Sequence, residues 1–195
     1  MGQRNFVKIY SNACSSDLCE RLIEWHNTDR EAKTESPDRN TRRDVQKWLP
    51  LESELGKELQ KCKLRLRDHY LKSFPSAYRG QKKLEAPEAK IQRTDPFGGG
   101  FHNWHSEVSH WENCSRALVW TIYLNSVREG EGETEFLYEP IRLLPRQGMG
   151  VVWPAAWMYQ HRGNPVHSKS KYIATGWFWY PKEEFYYLNG VGLYK

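Results

Sequence analysis

Apolar positions along the chain change their period once, near residue 91, and the change separates two kinds of structure. Phe6-Val7-Lys8-Ile9-Tyr10 reads as a short strand. Ser15-Ser16-Asp17 offers helix caps ahead of Leu18, Leu22, Ile23 and Trp25, which predicts an amphipathic helix of about three turns. Residues 27–46 are polar and nearly devoid of apolar side chains, so a loop is expected there. Leu51, Leu55, Leu59, Cys62 and Leu66 fall on one helical stripe and predict a second helix from about Leu51 to Leu71, closed by Phe74-Pro75. A polar segment from Arg79 to Lys90 follows. Beyond Ile91 the apolar runs are short, β-branched and aromatic: Ala117–Leu124, Gly148–Pro154 and Lys171–Tyr180, punctuated by Gly, Pro and Glu. No helix-length stripe follows residue 95, and there is no internal repeat or low-complexity tract. The pattern predicts two helices packed outside an all-β sandwich or barrel, a β-rich α+β fold.

Composition sharpens this picture in several places. The 195 residues fit one domain. No stretch approaches the ~18 apolar residues of a membrane span, and Met1–Lys8 lacks the apolar core of a secretory leader. Cys14, Cys19, Cys62 and Cys114 form no CxxC pair, so reduced thiols and a cytoplasmic location are expected. The net charge of +5 lies wholly in residues 1–95, which hold 20 Lys and Arg against 15 Asp and Glu, while seven of nine tryptophans lie from Trp104 onward. Lys61, Lys63, Arg65 and Arg67 are the densest basic run. Alternate helix positions diverge, so these four straddle two faces and are expected to form a solvated surface rather than a nucleic-acid stripe.

The most informative stretch is Gly98-Gly99-Gly100-Phe101-His102-Asn103-Trp104-His105-Ser106-Glu107. On a strand His105 and Glu107 project to the same face, and an imidazole beside a carboxylate supplies two ligands of a divalent metal. Two histidines and one carboxylate with open positions suit non-haem Fe(II) oxygen chemistry. The third ligand must come from a neighbouring strand, and His161 lies 56 residues on. His102 falls on the opposite strand face, and His110 falls past the end of the strand.

The order of motifs after this stretch resembles that of the 2-oxoglutarate- and Fe(II)-dependent oxygenases, in particular the prolyl 4-hydroxylase-like branch and its small bacterial and phage-type members. The residues carrying the resemblance are Gly98 to Glu107, Arg116, Thr121-Ile122-Tyr123-Leu124-Asn125, Glu131-Gly132-Glu133-Thr134-Glu135-Phe136, Pro145-Arg146-Gln147-Gly148, His161-Arg162-Gly163-Asn164-Pro165-Val166 and Lys171-Tyr172. The resemblance implies a double-stranded β-helix (jelly-roll, cupin-like) core over residues 88–180, a helical support region over 1–87 packed on one sheet, and a C-terminal extension over 181–195, all in a single oxygenase domain. It implies that His105, Glu107 and His161 hold Fe(II) and that 2-oxoglutarate and O₂ are consumed, with ascorbate as a stimulant. It also implies that Lys171, ten residues after His161, receives the far carboxylate of 2-oxoglutarate. Lys169 is the rival cation and Arg162 a remoter one. Strand alternation groups Lys171, Ile173, Thr175, Trp177 and Trp179, so an inward Lys171 carries Trp177 toward the site. The hydroxyls of Tyr123 and Thr134 are further candidate partners for the cosubstrate.

Two positions depart from the family pattern. The usual His-x-Asp reads His105-Ser106-Glu107, and a shorter Asp is expected to be tolerated at 107. The usual Gly-Gly-Glu-Thr reads Glu131-Gly132-Glu133-Thr134, which is expected to place an extra acid in a loop beside the entrance. The implied activity is C–H hydroxylation of a peptidyl residue, proline first, coupled to decarboxylation of 2-oxoglutarate to succinate and CO₂, with a peptide or protein as partner and no membrane. The alternatives are the same chemistry on nucleic acid or a small molecule, and a cupin-like binding module without turnover. A closed structural zinc site is disfavoured because two histidines and one carboxylate leave a position open.

Overall fold

The computed structural model describes residues 5–29, 34–35, 43–80 and 82–182. Most of the expected loop at 27–46 and nearly all of the C-terminal extension at 181–195 lie outside the described residues. Among the described residues, ten strands and two α-helices follow in the order β1 (Lys8–Tyr10), α1 (Ser16–Thr28), β2 (Thr34–Glu35), β3 (Val45–Trp48), α2 (Glu54–Ser73), β4 (Lys90–Thr94), β5 (Arg116–Tyr123), β6 (Thr134–Phe136), β7 (Arg142–Leu143), β8 (Gly150–Pro154), β9 (His161–Gly163) and β10 (Lys171–Trp179). They form a seven-stranded sheet, β1-β8-β5-β10-β4-β3-β2, facing a three-stranded sheet, β7-β6-β9, with antiparallel pairing throughout.

Both helices start where the sequence offers a cap. The Ser15 hydroxyl accepts from the Leu18 N–H at 3.2 Å and that of Ser53 from the Gly56 N–H at 3.0 Å. The second cap moves the start of α2 to Glu54, three residues past the expected Leu51, which still packs on the helical core from outside the helix. Pro75 ends α2 because it has no N–H to continue the ladder.

The central strands alternate strictly. From β5, Leu118, Trp120 and Ile122 point toward α1 and α2, where they meet Leu22, Leu59 and Leu66. Val119 and Tyr123 point the other way, into a second apolar cluster with Phe136, Trp153 and Trp177 that fills the space between the sheets.

Two expectations are corrected here. Residues 27–46 are not all loop, since Thr34–Glu35 and Val45–Trp48 pair with each other, and β3 continues onto β4. The apolar period is missing because the buried members of this edge are Asp44 and Gln46, the latter accepting from Gln92. The basic run on α2 is not a solvated surface either. Lys63 and Arg67 are buried, and they donate to the carbonyls of Ala86 and Glu88 and of Leu84, the turn of chain that leads into β4. Lys61 and Arg65 remain exposed.

Candidate active site between the two sheets

His105 does not lie on a regular strand. It makes a single antiparallel bridge to His161, with main-chain bonds of 3.1 Å and 2.9 Å in the two directions. The bridge sets the two imidazoles at a ring-centre distance of 4.3 Å. Each ring engages the carbonyl two residues before it through Nδ1, His105 on Asn103 and His161 on Tyr159, both at 3.0 Å. The bond fixes the tautomer and leaves Nε2 free to point at the third group. Glu107 Oε1 lies 3.6 Å from His105 Nε2 and 3.4 Å from His161 Nε2. The three ligand atoms fall within 4.8 Å of one another, the only such group among the described residues. Two donors each ~2.1 Å from one ion sit ~3.0–3.5 Å apart, so the triad fits a single divalent cation with little adjustment.

The surroundings tune these groups. Burial pushes the Glu107 carboxyl up, but the hydrogen bonds and charges of His105 and His161 outweigh it and hold the group well below the usual carboxylate range. Burial lowers the His105 imidazole, so it stays neutral and able to ligate, although Glu107 opposes this. Its ring stacks on Phe101 at 3.7 Å. The longer arm of glutamate has a purpose in this geometry. While Oε1 faces the histidines, Oε2 accepts from Trp177 Nε1 at 2.8 Å and lies 3.7 Å from Arg116 Nη1.

The triad opens into a cavity of about 460 Å³ whose floor is the inner face of the seven-stranded sheet. Lys171, Ile173, Thr175, Trp177 and Trp179 all line it, as strand alternation predicts. Lys171 is buried and donates to the Gly132 carbonyl at 2.9 Å, and burial lowers its pKa to about 8, opposed by Asp44 and Glu133. Gly132 has φ +70, and a side chain there would collide with Val166, so glycine keeps this carbonyl against the lysine. The Tyr123 hydroxyl donates to Thr134 Oγ1 at 2.7 Å, and Thr134 lines the cavity with Lys171. Burial raises the Tyr123 pKa, keeping the phenol protonated.

The remaining candidates separate clearly. Lys169 is exposed and outside the cavity lining. Arg162 is bound by Glu135 at 2.9 and 3.0 Å. His102 bonds the Gly163 carbonyl, and His110 is exposed beside Glu112. Glu131 corrects an expectation: it adds no acid to the entrance. It is buried, and it accepts from the Ser168 hydroxyl and the N–H groups of His167 and Ser168, bonds that lower its pKa to about 2. Sequence patterning misses Glu88, Lys90 and Gln92 on the cavity face of the β4 segment, because the polar stretch before Ile91 carries no apolar strand period. A polar residue at every second position there is the available signal.

Residues 89–179 match the family model described as the 2OG-Fe(II) oxygenase superfamily. Among curated proteins, none matches the sequence significantly. The fold is that of solved prolyl hydroxylases. The viral collagen prolyl hydroxylase of Paramecium Bursaria Chlorella virus-1, in its 2OG complex, is 21% identical with a TM-score of 0.67, covering 91% of this chain and 97% of its own. A Pseudomonas putida prolyl-4-hydroxylase is 20% identical with a TM-score of 0.70, over 90% of this chain and 92% of that one. A Trichoplax adhaerens prolyl hydroxylase, solved with a hypoxia inducible factor peptide, is 16% identical with a TM-score of 0.71, over 94% and 87%. The chain thus carries, over residues 89–179, a match to the 2OG-Fe(II) oxygenase superfamily, together with a convergent two-histidine, one-carboxylate triad at the mouth of a double-stranded β-helix whose fold it shares with solved prolyl hydroxylases.

Proposed function

We propose that this chain is a 2-oxoglutarate-dependent dioxygenase that hydroxylates a peptidyl residue, with proline the first to test, and that His105, Glu107 and His161 hold its Fe(II). The observation that carries the reading is the shared cavity: three convergent ligand atoms and a buried lysine line one space between the sheets. Bound Fe(II) supplies the activation of O₂ that couples conversion of 2-oxoglutarate to succinate and CO₂ with hydroxylation of a C–H bond.

The chain's own residues do the positioning. Lys171 receives the far carboxylate of 2-oxoglutarate, and its protonated form is restored by that negative charge. Thr134 lines the cavity, while Tyr123 stands behind the lining and donates to its hydroxyl, and Thr134 can turn its own O–H toward the same carboxylate. Trp177 and Arg116 hold Glu107 from the large sheet, so its orientation does not depend on the loop that carries it. The indole faces of Trp177, Trp153 and Trp48 wall the cavity and exclude water from the reacting atoms. The prolyl-hydroxylase fold of the solved relatives supports a peptide as the partner that fills the remaining space. Nucleic acid is disfavoured because half of the basic run on α2 is buried against backbone carbonyls.

The test is anaerobic titration of the metal-free protein with Fe(II) and 2-oxoglutarate, following the visible metal-to-ligand charge-transfer band. O₂ is then admitted with proline-containing peptides, while succinate and a 16-dalton mass gain are assayed. A band that bleaches with succinate release and a hydroxylated peptide supports the proposal in full. Succinate without hydroxylation of any peptide overturns the peptidyl substrate. No band and no metal binding overturns the ligand assignment and favours a binding module on this fold.

A further inference from the structure

The lysine in the cavity is held from across it. Lys171 is carried by the first position of β10, but its ammonium is placed by the backbone of other segments. Nζ donates to the Gly132 carbonyl at 2.9 Å, and a side chain at Gly163 would come within 3.4 Å of it. Where the charge stands therefore depends on how residues 131–133 are set against the turn at 164–170 that leads into β10. Main-chain bonds fix the near end of that turn, from the Gly132 N–H to the Pro165 carbonyl and from the Asn164 N–H to the Glu133 carbonyl, both at 2.8 Å. The Ser170 hydroxyl fixes the far end by donating to Asp95 at 2.7 Å.

Between these ends the turn is fastened by Glu131. His167 and Ser168 are exposed, yet their N–H groups donate to Glu131 Oε2 at 2.5 and 2.9 Å, and the Ser168 hydroxyl donates to Oε1. Three donors of one turn thus converge on a single buried carboxylate, and a charged acceptor makes each bond stronger than a neutral one would. The same residue is covalently joined to the glycine whose carbonyl holds the lysine. The tie is a departure from the family pattern: the glycine usual at position 131 has no side chain to offer it.

We propose that Glu131 is a positioning residue for the cosubstrate: it locks the turn at 167–168 to the segment carrying the Gly132 carbonyl, and so sets the Lys171 ammonium where the far carboxylate of 2-oxoglutarate is received. Glu131 belongs neither to the ligand triad nor to the cavity lining, so its effect passes through Lys171. The acids whose charge bears on Lys171 are Asp44 and Glu133, and neither side chain is part of the tie. This inference rests on the cosubstrate role proposed for Lys171 and adds the group that places it.

The test compares two 2-oxo acids on the Fe(II)-loaded protein without O₂, through the visible charge-transfer band. 2-Oxoglutarate carries the far carboxylate, and 2-oxopentanoate has the same carbon chain without it. Glu131→Gln, whose amide presents N–H to the donors of the turn, is expected to raise the 2-oxoglutarate Kd roughly tenfold and to leave that of 2-oxopentanoate unchanged. Ser168→Ala removes one of the three donors and is expected to raise the 2-oxoglutarate Kd roughly threefold. In a Lys171→Ala background Glu131→Gln should add nothing, because both act through one contact. Thermal unfolding of each variant controls for folding. A loss shared equally by the two oxo acids, or an additive loss in the double variant, overturns the proposal. A second readout needs no cosubstrate: acetylation of Lys171 by acetic anhydride in the metal-free protein, followed by mass spectrometry, is expected to run several-fold faster in Glu131→Gln, and equal rates overturn the proposal. If the wild type binds no 2-oxoglutarate, the oxygenase reading falls, while faster labelling keeps Glu131 as the group that places the lysine. If 2-oxoglutarate binding depends on Lys171 but not on Glu131, that reading stands and this inference falls.

Discussion

Lys63 and Lys171 are buried on opposite faces of the same sheet, and burial lowers both to a pKa of about 8. Their surroundings differ in a way the pKa does not reveal. Lys63 faces the helices, donates to the carbonyls of Ala86 and Glu88 at 2.9 Å each, and lies 5.5 Å from the Trp120 ring centre. With two backbone acceptors and an aromatic face, an ammonium has little capacity left. Lys171 donates to Gly132 and otherwise faces open cavity. A buried lysine therefore points to a ligand only when donors remain and there is space to fill. Lys63 is a structural tie, and Lys171 meets both conditions for the binding role proposed for it.

This contrast extends to the two faces as a whole: the cavity face should lose function when altered, and the helix face should lose stability. The largest expected effect is His161→Ala, which should abolish Fe(II) binding and succinate formation while thermal unfolding of the metal-free protein stays within a few degrees. A collapse of the fold would break the division. On the other face, Leu59→Ala should cost about 3 kcal/mol and lower the melting temperature by roughly 6–12 °C, because Leu59 is fully buried in the helical core. Its Kd for 2-oxoglutarate should not change.

The two lysines then separate by pH. Lys63 is lowered from 10.5 to about 8, so the folded state binds fewer protons than the unfolded state between these values. Its burial penalty is full below pH 8 and disappears above 10.5, so wild-type stability relative to Lys63→Met should rise by up to about 3 kcal/mol across that window in denaturant titrations. Lys171→Ala should leave Fe(II) binding intact and raise the 2-oxoglutarate Kd by roughly thirtyfold, as a charge-assisted bond worth ~2 kcal/mol is lost. In the wild type that Kd should increase as pH rises past 8, where the free lysine sheds its proton, and Lys171→Ala should flatten this limb. The smallest effect is Glu107→Asp, expected to weaken Fe(II) roughly tenfold, because the shortened arm cannot serve both histidines and Trp177. The sequence alone leads to the opposite expectation, tolerance of aspartate, and unchanged Fe(II) affinity would show that Trp177 does not fix the carboxylate.

Legibility in the sequence follows the same two faces. Leu59, Leu66 and the β5 residues Leu118, Trp120 and Ile122 face a dry core, so their apolar period alone is enough to place them. The cavity side is mixed by necessity. Lys171, Thr175 and Trp177 can be grouped by alternation, and His105, Glu107 and His161 by motif order, but Asp44 just before β3 and Glu88 and Lys90 before Ile91 present polar groups to a polar cavity and leave no apolar period to detect. Glu131 escapes because a carboxylate that caps backbone N–H groups looks the same in one dimension as one that faces solvent. Arg67 and Lys63 escape because their acceptors come from chain positions 17 to 25 residues away.

The main-chain bridge between His105 and His161 has a mechanical consequence. It fastens the segment carrying His105 and Glu107 to the small sheet, while Trp177 and Arg116 grip Glu107 from the large one. The ligand triad is thus a clasp across the open edge of the sandwich, and the clasp is already hooked at both sides before any ion closes it. Drift that dissolved this triad would remove the proposed metal centre and also unfasten the rim of the barrel, so the proposed chemistry and the shape of the mouth are constrained together.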